Sequence, residues 1–428
     1  MNQYAKKMAS YVKPGSFLRN FFILGSGTAL SQIVPVLASP ILTRIYTPQD
    51  FAMFAVFMAL IGMFTPIVCG KYEVALVLPK SHIQARHLLG IAICFSVAVS
   101  GLLTTIFLFA GNNILALLNA NRLGVWLNVV PMGLLLTGIF TALNYYANRY
   151  GDYRLMSRAR IFRSLFTVLC SVAAGIVGAG FAGMLVGFFA GMLVAVIILT
   201  YEQWKMFDAR VWVFGKAKKW LFCKYRQYPV YNATSGLLDG LTLSLPVLVL
   251  SHYYSEDIVG YFALVSRVLA APVGFVSASV SQVNLKKIVD IVNNRESPLQ
   301  YLYKVSALLL SIIFLPACVI IGWGPTLFGE LFGQQWIIAG EYARILMPAF
   351  MIQFVASTLS STLGATQNNR LGAIWKVFSL LSTAAVCYLF APKDDAEFLI
   401  YAFSVNNIVL YLLYLAAVFY AAMNPRRD

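Results

Sequence analysis

The chain has 428 residues, of which 60% are hydrophobic and 11% charged, with a mean hydropathy of +0.76 and a net charge of +16. So little polar surface cannot cover a water-soluble core of this size, which excludes a soluble enzyme or binding module and leaves a multi-pass membrane protein. Its apolar runs are continuous over about 20 residues, enough to cross about 30 Å of hydrocarbon as a helix, rather than alternating as in a barrel.

The first residues, 1–19, carry Lys6, Lys7, Lys13 and Arg19 and lead into an apolar segment too long for a signal peptide, without a cleavage motif; a retained cytoplasmic tail is expected. About twelve spans follow: Leu18–Leu42, Phe51–Leu78, His87–Phe109, Leu123–Ala147, Ile161–Val177, Phe181–Tyr201, Pro229–Ser251, Ile258–Leu285, Leu302–Ile321, Ile345–Leu363, Leu371–Phe390 and Phe398–Tyr420. An even number places both termini on one side. On that side fall 26 of the 32 basic residues and on the other 4, with Lys71 and Arg267 inside spans, so the positive-inside rule puts both ends in the cytoplasm. The basic excess is then a topology signal, and nucleic-acid binding is discounted.

Loops are short apart from 202–228. There Trp204, Trp212, Phe214 and Trp220 alternate with Lys216, Lys218, Lys219 and Lys224, as in an amphipathic segment lying in the headgroup layer, either a linker resting on anionic lipid or a substrate gate. Six-helix bundles are expected on either side of it, over 1–201 and 229–428.

A repeat supports this division. Tyr254–Ala263 falls on Tyr46–Ala55 without a gap, at an offset of 254 − 46 = 208 residues. Pro348 and Arg370 fall on Pro131 and Arg154 at offsets of 217 and 216, so the halves run parallel about an axis along the membrane normal. Only the second copy of the hairpin carries charge inside its spans, at Asp239 and Arg267; the positions 208 residues earlier are Ser31 and Ala59.

Asp239 and Arg267 lie about 15 Å and about 14 Å into their spans, near the membrane midplane, where a charge costs about 3 kcal/mol and faces a cavity or another charge. They either lock their two helices together or act on substrate, with Arg267 offering a fork of donors to phosphate and Asp239 holding it or exchanging a proton. Late in the second span, Lys71 can snorkel to the interface, while Glu73 is a candidate for ion coupling or for pairing with a basic residue on another helix. At the end of the fourth span Asn144, Tyr145, Tyr146 and Asn148, with Arg149 and Arg154 beyond, read either as an aromatic belt or as an access vestibule suited to sugar and phosphate. Gln353, Ser357, Ser360 and Ser361 serve cavity lining or helix packing.

The six cysteines and three histidines show no metal or redox spacing, and no Gly-rich phosphate loop is present, so no metal or cofactor is called for and ATP hydrolysis by this chain is not expected. No loop is long enough for a separate catalytic domain, which argues against an enzyme.

Leu42-Thr43-Arg44-Ile45-Tyr46-Thr47-Pro48-Gln49-Asp50-Phe51, followed by Lys71-Tyr72-Glu73-Val74-Ala75-Leu76-Val77-Leu78-Pro79, resembles the signature of bacterial oligosaccharide flippases of the Wzx type. Tyr228-Pro229-Val230-Tyr231, Ser281-Gln282-Val283, Phe332-Gly333-Gln334-Gln335-Trp336 and Ala339-Gly340-Glu341-Tyr342 are similar to further stretches of that family. Lys71 replaces a common arginine, and Gln334-Gln335 replaces common acidic residues. The resemblance implies an all-α polytopic fold of two six-helix bundles around a central cavity, in the inner membrane. It implies movement of an undecaprenyl-diphosphate-linked oligosaccharide, such as an O-antigen unit for lipopolysaccharide, to the outer leaflet by alternating access, alongside other membrane proteins of polysaccharide assembly. The alternative within the same superfamily is an ion-coupled exporter of drugs or small molecules, which would present acidic residues alone to a cationic substrate.

Overall fold

The computed structural model describes residues 16–119, 121–203, 216–294, 296–393 and 395–424, and all regular structure among them is helical. Lys6, Lys7 and Lys13 of the predicted tail, and Trp204, Trp212 and Phe214 of the predicted linker, lie outside these residues. In chain order the α-helices are α1 (Ser16–Leu37), α2 (Ser39–Ile45), α3 (Pro48–Phe64), α4 (Tyr72–Ala75), α5 (His82–Leu117), α6 (Val130–Arg149), α7 (Tyr153–Ile176), α8 (Phe181–Gln203), α9 (Lys216–Lys224), α10 (Thr234–Tyr253), α11 (Glu256–Asn293), α12 (Leu299–Phe332), α13 (Ile337–Leu359), α14 (Ser361–Ala365), α15 (Asn369–Phe390) and α16 (Ala396–Met423). Among the described residues, 11 helical segments are long and apolar enough to cross a membrane. The predicted eighth span lies within α11, a further helix of 38 residues.

Several spans run past their expected bounds, the ninth as far as Phe332, and two differ for a physical reason. The second does not continue to Leu78: α3 stops at Phe64, where Pro66 and the left-handed Gly70 (φ 58°) and Lys71 (φ 59°) break the helix. The apolar run masks this break, because hydropathy does not register backbone conformation. The fifth span begins earlier than Ile161, at Tyr153, because Arg154, Arg158, Arg160 and Arg163 depress hydropathy over a segment that is nonetheless helical. Asp152 starts it by accepting a hydrogen bond from the Leu155 N–H at 3.3 Å, as an N-cap should.

The chain forms two compact units, and they interleave in sequence. One takes the chain up to Ala38 together with Phe57–Ser244; the other takes Ser39–Val56 together with Leu245 onward.

In the first unit, hydroxyl side chains seat against glycines, which lets helices approach closely without a hydrophobic drive between them. Gly187 and Gly191, one turn apart on α8, meet Ser171 and Thr167 of α7, and Gly138 on α6 meets Ser96 of α5. A Cβ on Gly240 of α10 would lie 2.8 Å from the Met63 carbonyl of α3, and one turn on, Ser244 donates to the Ala59 carbonyl at 2.9 Å. The amphipathic α9 exposes Trp220 and Phe222 and buries Lys218 and Leu221; Tyr72 stacks on Phe222 and donates to its carbonyl at 3.2 Å.

In the second unit the two copies of the repeated hairpin meet. Thr47 and Asp50 cap α3 reciprocally, the Asp50 carboxylate accepting from the Thr47 N–H and hydroxyl while the Thr47 hydroxyl accepts from the Asp50 N–H; Pro48 fills the first helical position, which needs no donor. Gln49 donates from its amide to the Asp257 carboxylate at 2.9 Å, a bond between positions separated by the repeat offset of 208. Gly260 lies so close to the Pro48 carbonyl that any Cβ would collide with it.

The remaining signature stretches converge there as well. Trp336 and Gln335 both donate to the Thr43 carbonyl near the end of α2, at 3.1 and 2.9 Å, and so satisfy a carbonyl that has no intrahelical partner. Trp336 is fully buried between the edges of Phe51 and Tyr261, and Tyr261 also meets Tyr342. Such edge contacts contribute about 0.5–1.5 kcal/mol each beyond the area they bury.

Candidate functional site

Asp239 lies on α10 in the first unit and Arg267 on α11 in the second, and both side chains are partly accessible. Arg267 sits about 16 Å along the axis from Glu256, crowded by protein while part of its surface stays accessible. Its helix is held by its apolar neighbours Leu264, Val265 and Leu269, all buried. One turn before Asp239, Gly236 lies under the side chain of Lys71, whose Nζ is 3.5 Å from where a Cβ would stand. Lys71 is therefore laid across the helix that carries Asp239.

Glu73 falls beyond the spanning segment Pro48–Ile67, on the single turn α4. It is 4% exposed, and its Oε2 has no hydrogen-bond partner. Burial raises its carboxyl above the ordinary value of 4.5, against the smaller opposing effects of a backbone N–H and of Lys71. A carboxyl in this setting takes up a proton more readily than an exposed one.

The predicted vestibule residues separate. Arg149 donates to the carbonyls of Leu76, Val77 and Ser81 at 2.9, 3.3 and 3.4 Å, clamping the turn that follows α4. Tyr146 is 1% exposed and its hydroxyl meets that of Tyr150 at 3.2 Å, while Tyr150 stacks on His82. Asn144 is buried with an unpartnered Oδ1, Tyr145 is partly accessible, and Arg154 is exposed on the first turn of α7. Of the hydroxyls on α13, Ser357 bonds Ser277 at 2.9 Å, a helix-packing contact.

Two arginines counted with the basic residues of the cytoplasmic side, Arg160 just before the predicted fifth span and Arg163 just inside it, both lie well within a helix. Arg160 and Arg163 lie about 10 and about 15 Å into α7 from Tyr153. Arg160 donates to the Thr28 hydroxyl of α1 at 2.7 Å, and the Arg163 guanidinium lies 5.2 Å from the centre of the Phe140 ring. Tyr145 is within electrostatic reach of both Arg160 and Glu73. The signal available in the sequence was the spacing of three, which puts both arginines on one helix face.

Residues 41–340, well over half of the chain, match the polysaccharide biosynthesis protein family. Among solved structures, the lipid II flippase MurJ in an inward closed conformation superposes with a TM-score of 0.73 at 15% identity, over 94% of this chain and 89% of that chain. A multidrug resistance MATE family transporter of the MOP superfamily, inward-facing, gives 0.69 at 14% identity over 95% and 96%. A MOP superfamily transporter from Pyrococcus furiosus, for which reversed binding-pocket polarity suggests a different function, gives 0.60 at 13% identity over 96% of each chain. A comparison with curated proteins finds no match. The solved structures share the fold, and the family match shows the membership: this chain is a multi-pass membrane protein belonging to the polysaccharide biosynthesis protein family.

Proposed function

We propose that the protein is a flippase that moves an undecaprenyl-diphosphate-linked oligosaccharide, such as an O-antigen unit, across the inner membrane from the cytoplasmic leaflet. The observation that carries this reading is Arg267, a guanidinium held well inside the 38-residue helix α11 by apolar neighbours while part of it stays accessible. A cation in hydrocarbon is retained where it meets an anion, and its planar fork fits phosphate oxygens. A cationic drug would be repelled by it, which favours the flippase over the multidrug exporter. Both termini are assigned to the cytoplasm, with 1–201 and 229–428 as halves that rock about the 202–228 linker, and Glu73 and Asp239 as the groups that couple transport to an ion.

The test is movement of undecaprenyl-diphosphate oligosaccharide in proteoliposomes. Intact protein should move it and Arg267→Ala should not, at equal reconstitution; transport unaffected by the substitution overturns the role of Arg267. No movement by intact, folded protein supplied with matched substrate overturns the flippase reading.

A further inference from the structure

Arg160 and Arg163 are three residues apart on α7, so their side chains share one face and each repels the other. Among the described residues neither forms an ion pair, although Arg158, exposed on the same helix, does so with Glu202 at 3.5 Å. The exposed arginine has an acidic partner, and the two less exposed ones further along the helix have a hydroxyl and an aromatic ring. Placing two like charges in one apolar layer without a counter-charge is unfavourable, and a bound anion relieves it.

The repeat gives independent support. The offset of 216 that relates Arg154 to Arg370 relates Arg160 to Lys376, so each half carries a cation at this position of the corresponding helix. The first half thus has a basic site of its own, built on α7 beside α1, although Ser31 and Ala59 replace the charges of the second hairpin.

We infer that Arg160 and Arg163 form a second oxyanion site, in the first unit, that takes the diphosphate of the lipid-linked substrate. Two guanidiniums on adjacent turns offer separate forks to two linked phosphate groups, Thr28 orients the first, and Phe140 supports the second by a cation–π contact. The assignment rests on the flippase reading, since that reading supplies a diphosphate. The carboxylate of an acidic sugar shares the same chemistry and is the competing source.

The experiment is a titration of purified, detergent-solubilised protein with inorganic pyrophosphate at fixed ionic strength, read by thermal unfolding. It is done in the Arg267→Ala background, so that the other cation does not contribute. Saturable stabilisation is expected there. Adding Arg160→Gln with Arg163→Gln should weaken it at least about tenfold, as loss of charge-assisted bonds does. Thr28→Val, which releases only the orientation of Arg160, should weaken it a few-fold, and Arg163→Lys should keep part of it.

Pyrophosphate affinity unchanged by the double substitution, or absent from the Arg267→Ala protein, overturns the site. Stabilisation by glucuronate but not by pyrophosphate overturns the diphosphate assignment. Failure of the flippase reading shows itself separately, as absent lipid-linked transport in proteoliposomes with pyrophosphate binding intact. Each variant is scored only if it elutes as a folded species on size exclusion.

Discussion

The two copies of the repeated hairpin share a scaffold and differ in charge. Where the second copy has Arg267 on α11, the first has Ala59 on α3, and the structure gives a reason: the Ala59 carbonyl accepts from Ser244, and one turn on, Gly62 and Met63 press against Gly240. Ala59 is itself buried, on a helix whose backbone is in close contact with α10. The first half instead carries cations within α7, at Arg160 and Arg163, both partly accessible. A duplicated fold thus keeps its helices while moving its charges to wherever packing leaves room.

The largest effect should come from forcing the first copy to copy the second. Ala59→Arg adds bulk and an unpartnered charge to the α3 and α10 contact, and a loss of about 3 kcal/mol or more is expected, read as loss of folded, monodisperse protein. Next, Gly260→Ala pushes a methyl group into the Pro48 carbonyl and should cost about 1–3 kcal/mol in thermal unfolding. The equivalent residue of the first copy is already alanine, and Ala52→Gly should cost no more than about 1 kcal/mol. Equal effects at the two positions would show that the copies are not distinguished by this approach.

A third variant addresses Glu73. Its folded carboxyl holds a proton more tightly than the unfolded chain does, so its contribution to stability is complete below the ordinary carboxylate value and is lost as pH rises through the raised one. Glu73→Gln should therefore flatten the decline of melting temperature above pH 4.5 and leave the protein at least as stable at neutral pH. A slope identical to that of the parent protein would assign the proton elsewhere. The smallest effect is at the point of symmetry: a double-mutant cycle on Gln49 and Asp257 should give a coupling of about 0.5–1.5 kcal/mol, as a typical hydrogen bond does.

The sequence shows the helical spans because hydropathy averages over 20 residues and tolerates errors at the ends. It also shows the repeat, since ten residues align without a gap. It hides whatever depends on a single backbone angle or on depth. The break after Phe64 is written in Pro66 and Gly70, yet the apolar run continues past them. The depth of Arg160 and Arg163 is hidden for the opposite reason, because four arginines in ten residues delay the apparent start of the span to Ile161 while the helix has already begun at Tyr153. The signature residues Trp336, Gln335 and Thr43 stand out in the sequence, but only their hydrogen bonds show that they hold the fold together.

The hydrogen bond from Gln49 to Asp257 joins a position to its own counterpart. In a dimer of identical chains such a contact lies on the two-fold axis, where each residue can meet only a copy of itself. Two aspartates would repel there, and two glutamines could pair only as equals. Once both copies are encoded in one gene, the constraint disappears and an amide can face a carboxylate. The bond uses that freedom, and the same freedom lets one half hold an arginine that the other does not have to accommodate.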